Sequence, residues 1–265
     1  MAVRLEGSRV LLTGASGGLG GTLARRLAAA GAQLVLTGRR AEVLDALALE
    51  LGARAVPADL ASREELERLL AAAGGVDILI ANAALPASGR LAALEPDHVD
   101  RAIEVNLRAP VALAHRLAPA MVARGSGHLV FIGSLSGKAA SGGASLYCAT
   151  KFGLRGFALA LRSELAPAGV GVSIVSPGFI ADAGMFSDTA IKLPRGMSTT
   201  TSAQVSEAVV RAIVRNRGEI DVAAPAMRLG ADAANLAPAL AARVGRMIGA
   251  EALALQFEQR QADKR

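Results

Sequence analysis

The residues best suited to chemistry in this chain are a phenol and an ammonium four positions apart. Tyr147 is the only tyrosine among 265 residues, and Lys151 is one of four lysines, with Lys138, Lys192 and Lys264. Residues i and i+4 of a helix share a face, so a helix over 145–166 points both side chains the same way. A free phenol, with a pKa of about 10, is a poor proton acceptor at neutral pH. A neighbouring ammonium favours the phenolate, and lowering the pKa to near neutrality takes roughly 4 kcal/mol of differential stabilisation. Such a phenol can pass a proton to or from an oxygen on a reacting carbon. Taken alone, Tyr and Lys at this spacing are an ordinary amphipathic pair. Cys148, the only cysteine, falls on a different helix face and reads as a small buried thiol. His98, His115 and His128 show no metal-ligand spacing and read as structural.

The elements that must position this pair alternate along the chain. Short continuous apolar runs at 9–13, 33–37, 53–57, 77–81, 128–133, 170–176 and 219–223 read as strands buried on both faces. Between them lie helices predicted at 18–30, 41–51, 62–73, 96–124, 145–166 and 202–216. Ser62, with Glu65 three residues on, predicts a capping box. This alternation implies an α/β fold, a parallel sheet of about seven strands with helices on both faces and right-handed crossovers. Two segments escape it: an irregular loop at 179–201, and a helical tail at 226–262. The expected organisation is a domain over 1–225 that includes the loop, followed by a helical extension over 226–265.

The stretch TGASGGLG at 13–20 joins the first strand to the first helix. Its glycines let backbone approach a ligand closely, and the helix behind offers free N–H groups and a positive dipole end to a pyrophosphate. The spacing of Gly14, Gly18 and Gly20 is not the G-x-G-x-x-G dinucleotide fingerprint. It is similar to the T-G-x-x-x-G-x-G of the short-chain dehydrogenase/reductase family. The resemblance covers roughly residues 8–225 and rests on motifs in order. Asp59-Leu60 follows the third strand, and Asn82-Ala83-Ala84, which resembles the family's N-A-G, follows the fourth. Asn106 lies in the fourth helix, and Ser134 ends the fifth strand. Tyr147-x-x-x-Lys151 comes next, then Pro177-Gly178 after the sixth strand.

The resemblance implies a Rossmann-type doubly wound sheet and hydride transfer between a nicotinamide cofactor and a ketone/secondary alcohol pair. It implies that Tyr147 is the general acid/base and that Lys151 also holds the nicotinamide ribose. By the same resemblance Ser134 hydrogen-bonds the substrate oxygen and Asn106 holds a water of a proton relay. It places Gly14, Gly18, Leu19, Gly20, Asp59, Leu60, Asn82, Ala83, Pro177, Gly178 and Ile180 at the cofactor, with Asp59-Leu60 at its adenine.

An NAD-type site usually carries Asp or Glu at the end of the second strand, for the ribose 2′-hydroxyl. Here that strand ends Thr37-Gly38-Arg39-Arg40, and no acid follows until Glu42. Arg39 can pair with a 2′-phosphate through its planar fork, and Ser16 can add a hydroxyl. The expected cofactor is therefore NADP(H), with NAD(H) possible; Arg40 reads as solvated.

Net charge is +6, but the arginines are scattered, without basic blocks or interleaved aromatics, so no nucleic-acid partner is expected. Neither a signal peptide nor a membrane-spanning run is read, and the single cysteine suits a cytoplasmic setting. Where the family commonly carries Thr after Ile180, this chain has Ala181-Asp182. Asp182 is expected to accept from the cofactor's carboxamide or to cap the turn that follows. Met185, Phe186, Ile191, Leu193 and Met197 of the loop suit an apolar pocket wall and a lipophilic substrate. In the tail, Leu229, Ala233, Leu236, Leu240, Val244 and Met247 recur at helical spacing, expected to pack on their own subunit or on another, with an interfacial membrane helix as the third reading. The resemblance implies a homodimer or homotetramer built on the helices at 96–124 and 145–166. The functional expectation is an NADPH-dependent carbonyl reductase. Its rivals are a 3-oxoacyl thioester reductase and a cofactor-binding regulator without turnover.

Overall fold

In the computed structural model the described residues are 3–189, 191, 193, 197–247, 256 and 260. Strand β1 (Arg9–Thr13) feeds helix α1 (Gly18–Ala28), and β2 (Gln33–Thr37) feeds α2 (Ala41–Leu51). Strand β3 (Arg54–Ala55), helix α3 (Arg63–Ala73) and strand β4 (Ile78–Ala81) follow. Next come α4 (Pro96–Ile103), α5 (Ala109–Ala123), β5 (Gly127–Ile132), α6 (Ser145–Leu165) and β6 (Val170–Pro177). Two short strands, β7 (Phe179–Ile180) and β8 (Thr199–Thr200), precede α7 (Ser202–Val214) and β9 (Glu219–Val222). Helices α8 (Pro225–Leu236) and α9 (Pro238–Met247) end the described run.

The main sheet has seven parallel strands in the order β3-β2-β1-β4-β5-β6-β9. Strand order reverses between β1 and β4, the switch point where open α/β sheets bind ligands beyond the strand ends. The central strands β1, β4, β5 and β6 are mostly apolar because both faces are covered. Successive residues alternate sides. Val10 and Leu12 of β1 pack with Leu23, Leu27, Leu44, Val209 and Ile213 on one face. Leu11 of the same strand packs with Leu66, Leu69, Leu113 and Leu154 on the other.

Several expectations need correction. The third strand is two residues long, not five, since its residues are only partly covered at the sheet edge. The capping box on α3 is half formed: the Ser62 side chain accepts from Glu65 N, but Glu65 accepts from the Asp59 backbone N–H at 2.8 Å instead of Ser62's. The helix predicted over 96–124 is interrupted by a π-helical segment, Glu104–Arg108. The loop at 179–201 is not wholly irregular, because β7 and β8 pair in parallel across its base.

In the tail, Pro238 begins a helix as expected, with Pro225 beginning the one before it. The packed face of α8 is not the predicted leucine stripe. Ala231 is buried at 5%, whereas Leu229, Leu236 and Leu240 are 70%, 84% and 63% exposed. Leu229 and Leu236 of this helix face outward, while Ala233 and, on α9, Leu240 of the predicted stripe border the main cavity despite their exposure. Among the described residues no helix is long and apolar enough to cross a membrane.

Candidate active site

The glycine turn is shaped by close approach. Gly14 has φ +67°, and a Cβ there would lie 2.8 Å from Ala83 Cα. A Cβ on Gly20 would lie 2.1 Å from the Gly14 carbonyl oxygen. Neither position can carry a side chain without moving backbone. Asn82 holds the turn from the next strand: its Nδ2 donates to Thr13 O at 3.0 Å, while Asn82 N and Ala83 N both donate to Thr13 Oγ1 at 3.0 Å. Helix α1 has Gly17 as its N-cap, with no side-chain cap and no acid in its first turn. Free helix N–H groups and absent side chains fit the pyrophosphate of a dinucleotide.

At the end of β2, a Cβ on Gly38 would lie 2.7 Å from Ser16 Oγ, so the serine stands where an acid's side chain would begin. Arg40, read from sequence as solvated, instead donates to the Ser16 carbonyl and braces the glycine turn. Arg39 borders the same cavity, and its charge reaches Asp59. Burial pushes the Asp59 carboxyl up, but the Ala61 N–H, the Arg101 guanidinium at 2.7 Å and Arg39 together hold it below its usual range.

The proton-transfer candidates sit at the end of β5 and on the first turns of α6. Ser134 caps a 3-10 turn, Leu135–Gly137, by accepting from Ser136 N. Gly137 lets that turn lie against α6, since a Cβ there would be 2.8 Å from the Lys151 carbonyl oxygen. Tyr147 and Lys151 share a helix face as expected, with Lys151 Nζ 5.7 Å from the phenol ring centroid. Lys151 is 3% exposed and donates to the Ile132 carbonyl at 3.0 Å. Burial pushes its pKa down to about 8.

The expected lowering of the Tyr147 pKa is not what the protein alone provides. Part of the residue faces the cavity, yet burial pushes its phenol up to about 12, against a lowering by the Ser134 hydrogen bond. Loss of water around a phenolate outweighs an ammonium held off to one side.

Every predicted site residue except Asn106 lines one cavity of about 1420 Å³. It exceeds the ~300–1,000 Å³ of a typical single-ligand site. Asn106 is 1% exposed and lies behind the wall: its Nδ2 donates to Leu85 O at 3.0 Å and its Oδ1 accepts from Leu85 N at 2.6 Å. The π-helical turn carries it there, a distortion frequent at functional sites.

Asp182 does not cap the turn that follows it. It accepts from Ser202 N at 2.8 Å and Ser202 Oγ at 2.9 Å, and so ties the substrate loop to the start of α7. Met185, Phe186 and Met197 line the cavity; Ile191 and Leu193 do not.

Two contributions are absent from the sequence reading. Met227, Gly230 and Ala234 of α8 line the cavity. Lys138, 5% exposed, places its Nζ 2.7 Å from Asp221 and 3.1 Å from Asp232. Its only sequence signal is rarity: a lysine in an arginine-dominated chain, four positions after Ser134. Cys148 is buried, and burial pushes its thiol up, as suits a packing residue. His128 is buried against Ser173 at 2.7 Å.

Residues 8–192 match the family described as short chain dehydrogenase. A ketoacyl reductase, HetN, of Nostoc sp. is 37% identical over 227 residues, spanning 82% of this chain and 79% of that one. A short-chain dehydrogenase from Sphingobium yanoikuyae, solved in complex with NADPH, has a TM-score of 0.76 at 31% identity, covering 91% of this chain and 94% of that one. A bulky-bulky ketone specific alcohol dehydrogenase from Comamonas testosteroni has a TM-score of 0.72 at 28% identity, covering 81% and 85%. The chain belongs to the short-chain dehydrogenase/reductase family, oxidoreductases that act on CH–OH groups.

Proposed function

We propose that this protein is an NADP(H)-dependent reductase of ketones to secondary alcohols, with Tyr147 as the proton donor. The observation that carries this reading is one cavity lined both by the glycine turn and by Ser134, Tyr147 and Lys151. A nicotinamide dinucleotide bound along the glycine turn supplies and accepts hydride. The remaining work falls to the chain. Gly14, Ser16, Gly18, Leu19 and Gly20 hold the pyrophosphate end, with Asp59, Leu60, Asn82 and Ala83 beyond them at the switch point. Pro177, Gly178 and Ile180 border the far end. Ser134 orients the substrate oxygen, and Tyr147 gives it a proton. A phenol that burial keeps protonated at neutral pH suits the reducing direction. Lys151 stays largely an ammonium below pH 8 and positions the ribose hydroxyls. Asn106 fixes the backbone at Leu85, on the cavity wall.

Preference for NADP(H) rests on Gly38 and Ser16 in place of an acid and on Arg39 at the cavity edge; the NADPH complex of the Sphingobium relative supports it. NAD(H) is the weaker substrate on this reading. Exposed Ile103, Val122 and Phe152 on α4, α5 and α6 support a homo-oligomer built on those helices. A second reading, reduction of a 3-oxoacyl thioester, is favoured by the name of the Nostoc relative.

The test is NADPH oxidation by the purified protein against ketones and 3-oxoacyl thioesters, repeated with NADH and with Arg39→Ala. The proposal expects ketone turnover, higher kcat/KM with NADPH than with NADH, and loss of that preference in Arg39→Ala. Tight NADPH binding with turnover of no carbonyl compound would instead make the protein a cofactor-binding regulator.

A further inference from the structure

Helix α8 contributes two faces to the molecule. Met227, Ala231 and Ala234 form its more covered face and also border the cavity; Met227 Cε would lie 3.5 Å from a Cβ on Gly178, next to the cofactor-side backbone. The adjoining flank, Ala226, Gly230 and Ala233, lines the cavity that holds Ser134 and Tyr147. Gly230 is the informative residue there. A glycine inside a helix costs stability relative to alanine. Its φ is not in the left-handed region, and a Cβ built on it meets no atom within 4 Å. Neither backbone nor packing calls for glycine; the residue is exposed and borders the cavity, so the missing side chain leaves room on the cavity's open side.

The helix is held in place from its other side. Asp232 reaches Lys138 Nζ at 3.1 Å, and the same ammonium lies 2.7 Å from Asp221 and 3.5 Å from Glu219 on β9. Lys138 directly follows the 3-10 turn that begins at Ser134. One buried cation therefore joins the helical wall to the loop that carries the substrate-orienting hydroxyl.

We propose that α8 is the outer wall of the substrate pocket, that Gly230 sets the size of substrate admitted, and that Lys138–Asp232 positions this wall. The substrate class is a ketone with large apolar groups on both sides of the carbonyl, one of them lying against Gly230. This rests on the ketone-reductase reading above. The apolar lining contributed by Met185, Phe186, Met197 and Met227 suits that ligand.

The experiment compares wild type, Gly230→Ala, Gly230→Phe and Asp232→Asn with NADPH and two ketones, benzophenone and butanone. The readout is the ratio of kcat/KM for the bulky ketone to that for the small one. Gly230→Phe is expected to lower the ratio by at least about tenfold, with the change carried by KM. Gly230→Ala, which removes no contact and favours the helix, gives an intermediate ratio and keeps the test available should the phenylalanine variant fail to fold. Asp232→Asn raises KM for benzophenone more than it lowers kcat, and Asp232→Glu restores it. An unchanged ratio in both Gly230 variants overturns the proposal. If wild type binds NADPH but reduces neither ketone, the function reading fails separately. The wall is then read from binding of the apolar dye Nile red, which loss in Gly230→Phe would support and equal binding would refute.

Discussion

Two buried lysines follow Ser134 in the chain, at positions 138 and 151, and their surroundings are opposite. Lys151 is 3% exposed, donates to a backbone carbonyl, and burial pushes its pKa down to about 8. Lys138 is 5% exposed and lies within 3.5 Å of Asp221, Asp232 and Glu219; burial pushes its pKa down, but these carboxylates more than reverse that. A buried cation surrounded by carboxylates is satisfied, and its role is to hold three elements together. A buried cation that meets a carbonyl and an aromatic ring but no carboxylate is poorly satisfied, a state that folding alone does not favour and that a charged reaction partner can use. The same residue type thus serves architecture at one position and, on the function proposed above, chemistry at the other.

The largest expected effect separates them by activity. Lys151→Met is expected to lower kcat/KM for ketone reduction by roughly 10²–10⁴-fold. Its kcat for butanone should lie at least about tenfold below that of Lys138→Met. Comparable losses in the two variants would erase the distinction.

Stability should rank them the other way. Lys138→Met leaves the 8%-exposed Asp221 side chain without its cation and is expected to cost about 3–5 kcal/mol in denaturant unfolding. Lys151→Met removes an unfavourably buried charge and should not destabilise. The sign follows from linkage: the folded pKa of Lys151 is about 8 against an ordinary 10.5, so between these values the unfolded chain binds more protons. Wild type should therefore gain stability as pH rises through that window, by at most roughly 3 kcal/mol. Lys151→Met should lack this rise; the same rise in both proteins would contradict the assignment.

A smaller effect is spectroscopic. With a single tyrosine, phenolate absorbance reports Tyr147 alone. In the protein by itself little phenolate should form by pH 10, where an exposed tyrosine is half ionised. Adding NADP⁺ should bring ionisation to lower pH. Half-ionisation near pH 10 in the protein alone would mean that burial does not govern this phenol.

What was legible in the sequence was local. The central strands could be read because each is covered on both faces and must be mostly apolar, as at Val10-Leu11-Leu12. The glycine turn could be read because Gly14 and Gly20 are fixed by contacts within or beside the turn itself. What escaped depends on partners far along the chain. The π-helical break at Glu104–Arg108 uses residues that equally suit a regular helix, and Asn106 finds its partner in Leu85, 21 positions away. The acids around Lys138 lie 83 and 94 positions away. Helical spacing reveals the ammonium near Tyr147 but not the burial that raises its pKa in the protein alone. In the tail, leucine spacing suggested a packed stripe, whereas the alanines and Gly230 approach the pocket and Leu229 and Leu236 face outward.

The central claim is that Tyr147 transfers the proton while the rest of the cavity holds cofactor and ketone. Tyr147→Phe removes one oxygen and leaves the ring in place. NADPH binding, followed by nicotinamide fluorescence, should stay within about threefold of wild type, while kcat for ketone reduction should fall by roughly 10²–10⁴-fold. Near-wild-type kcat in Tyr147→Phe would contradict the account.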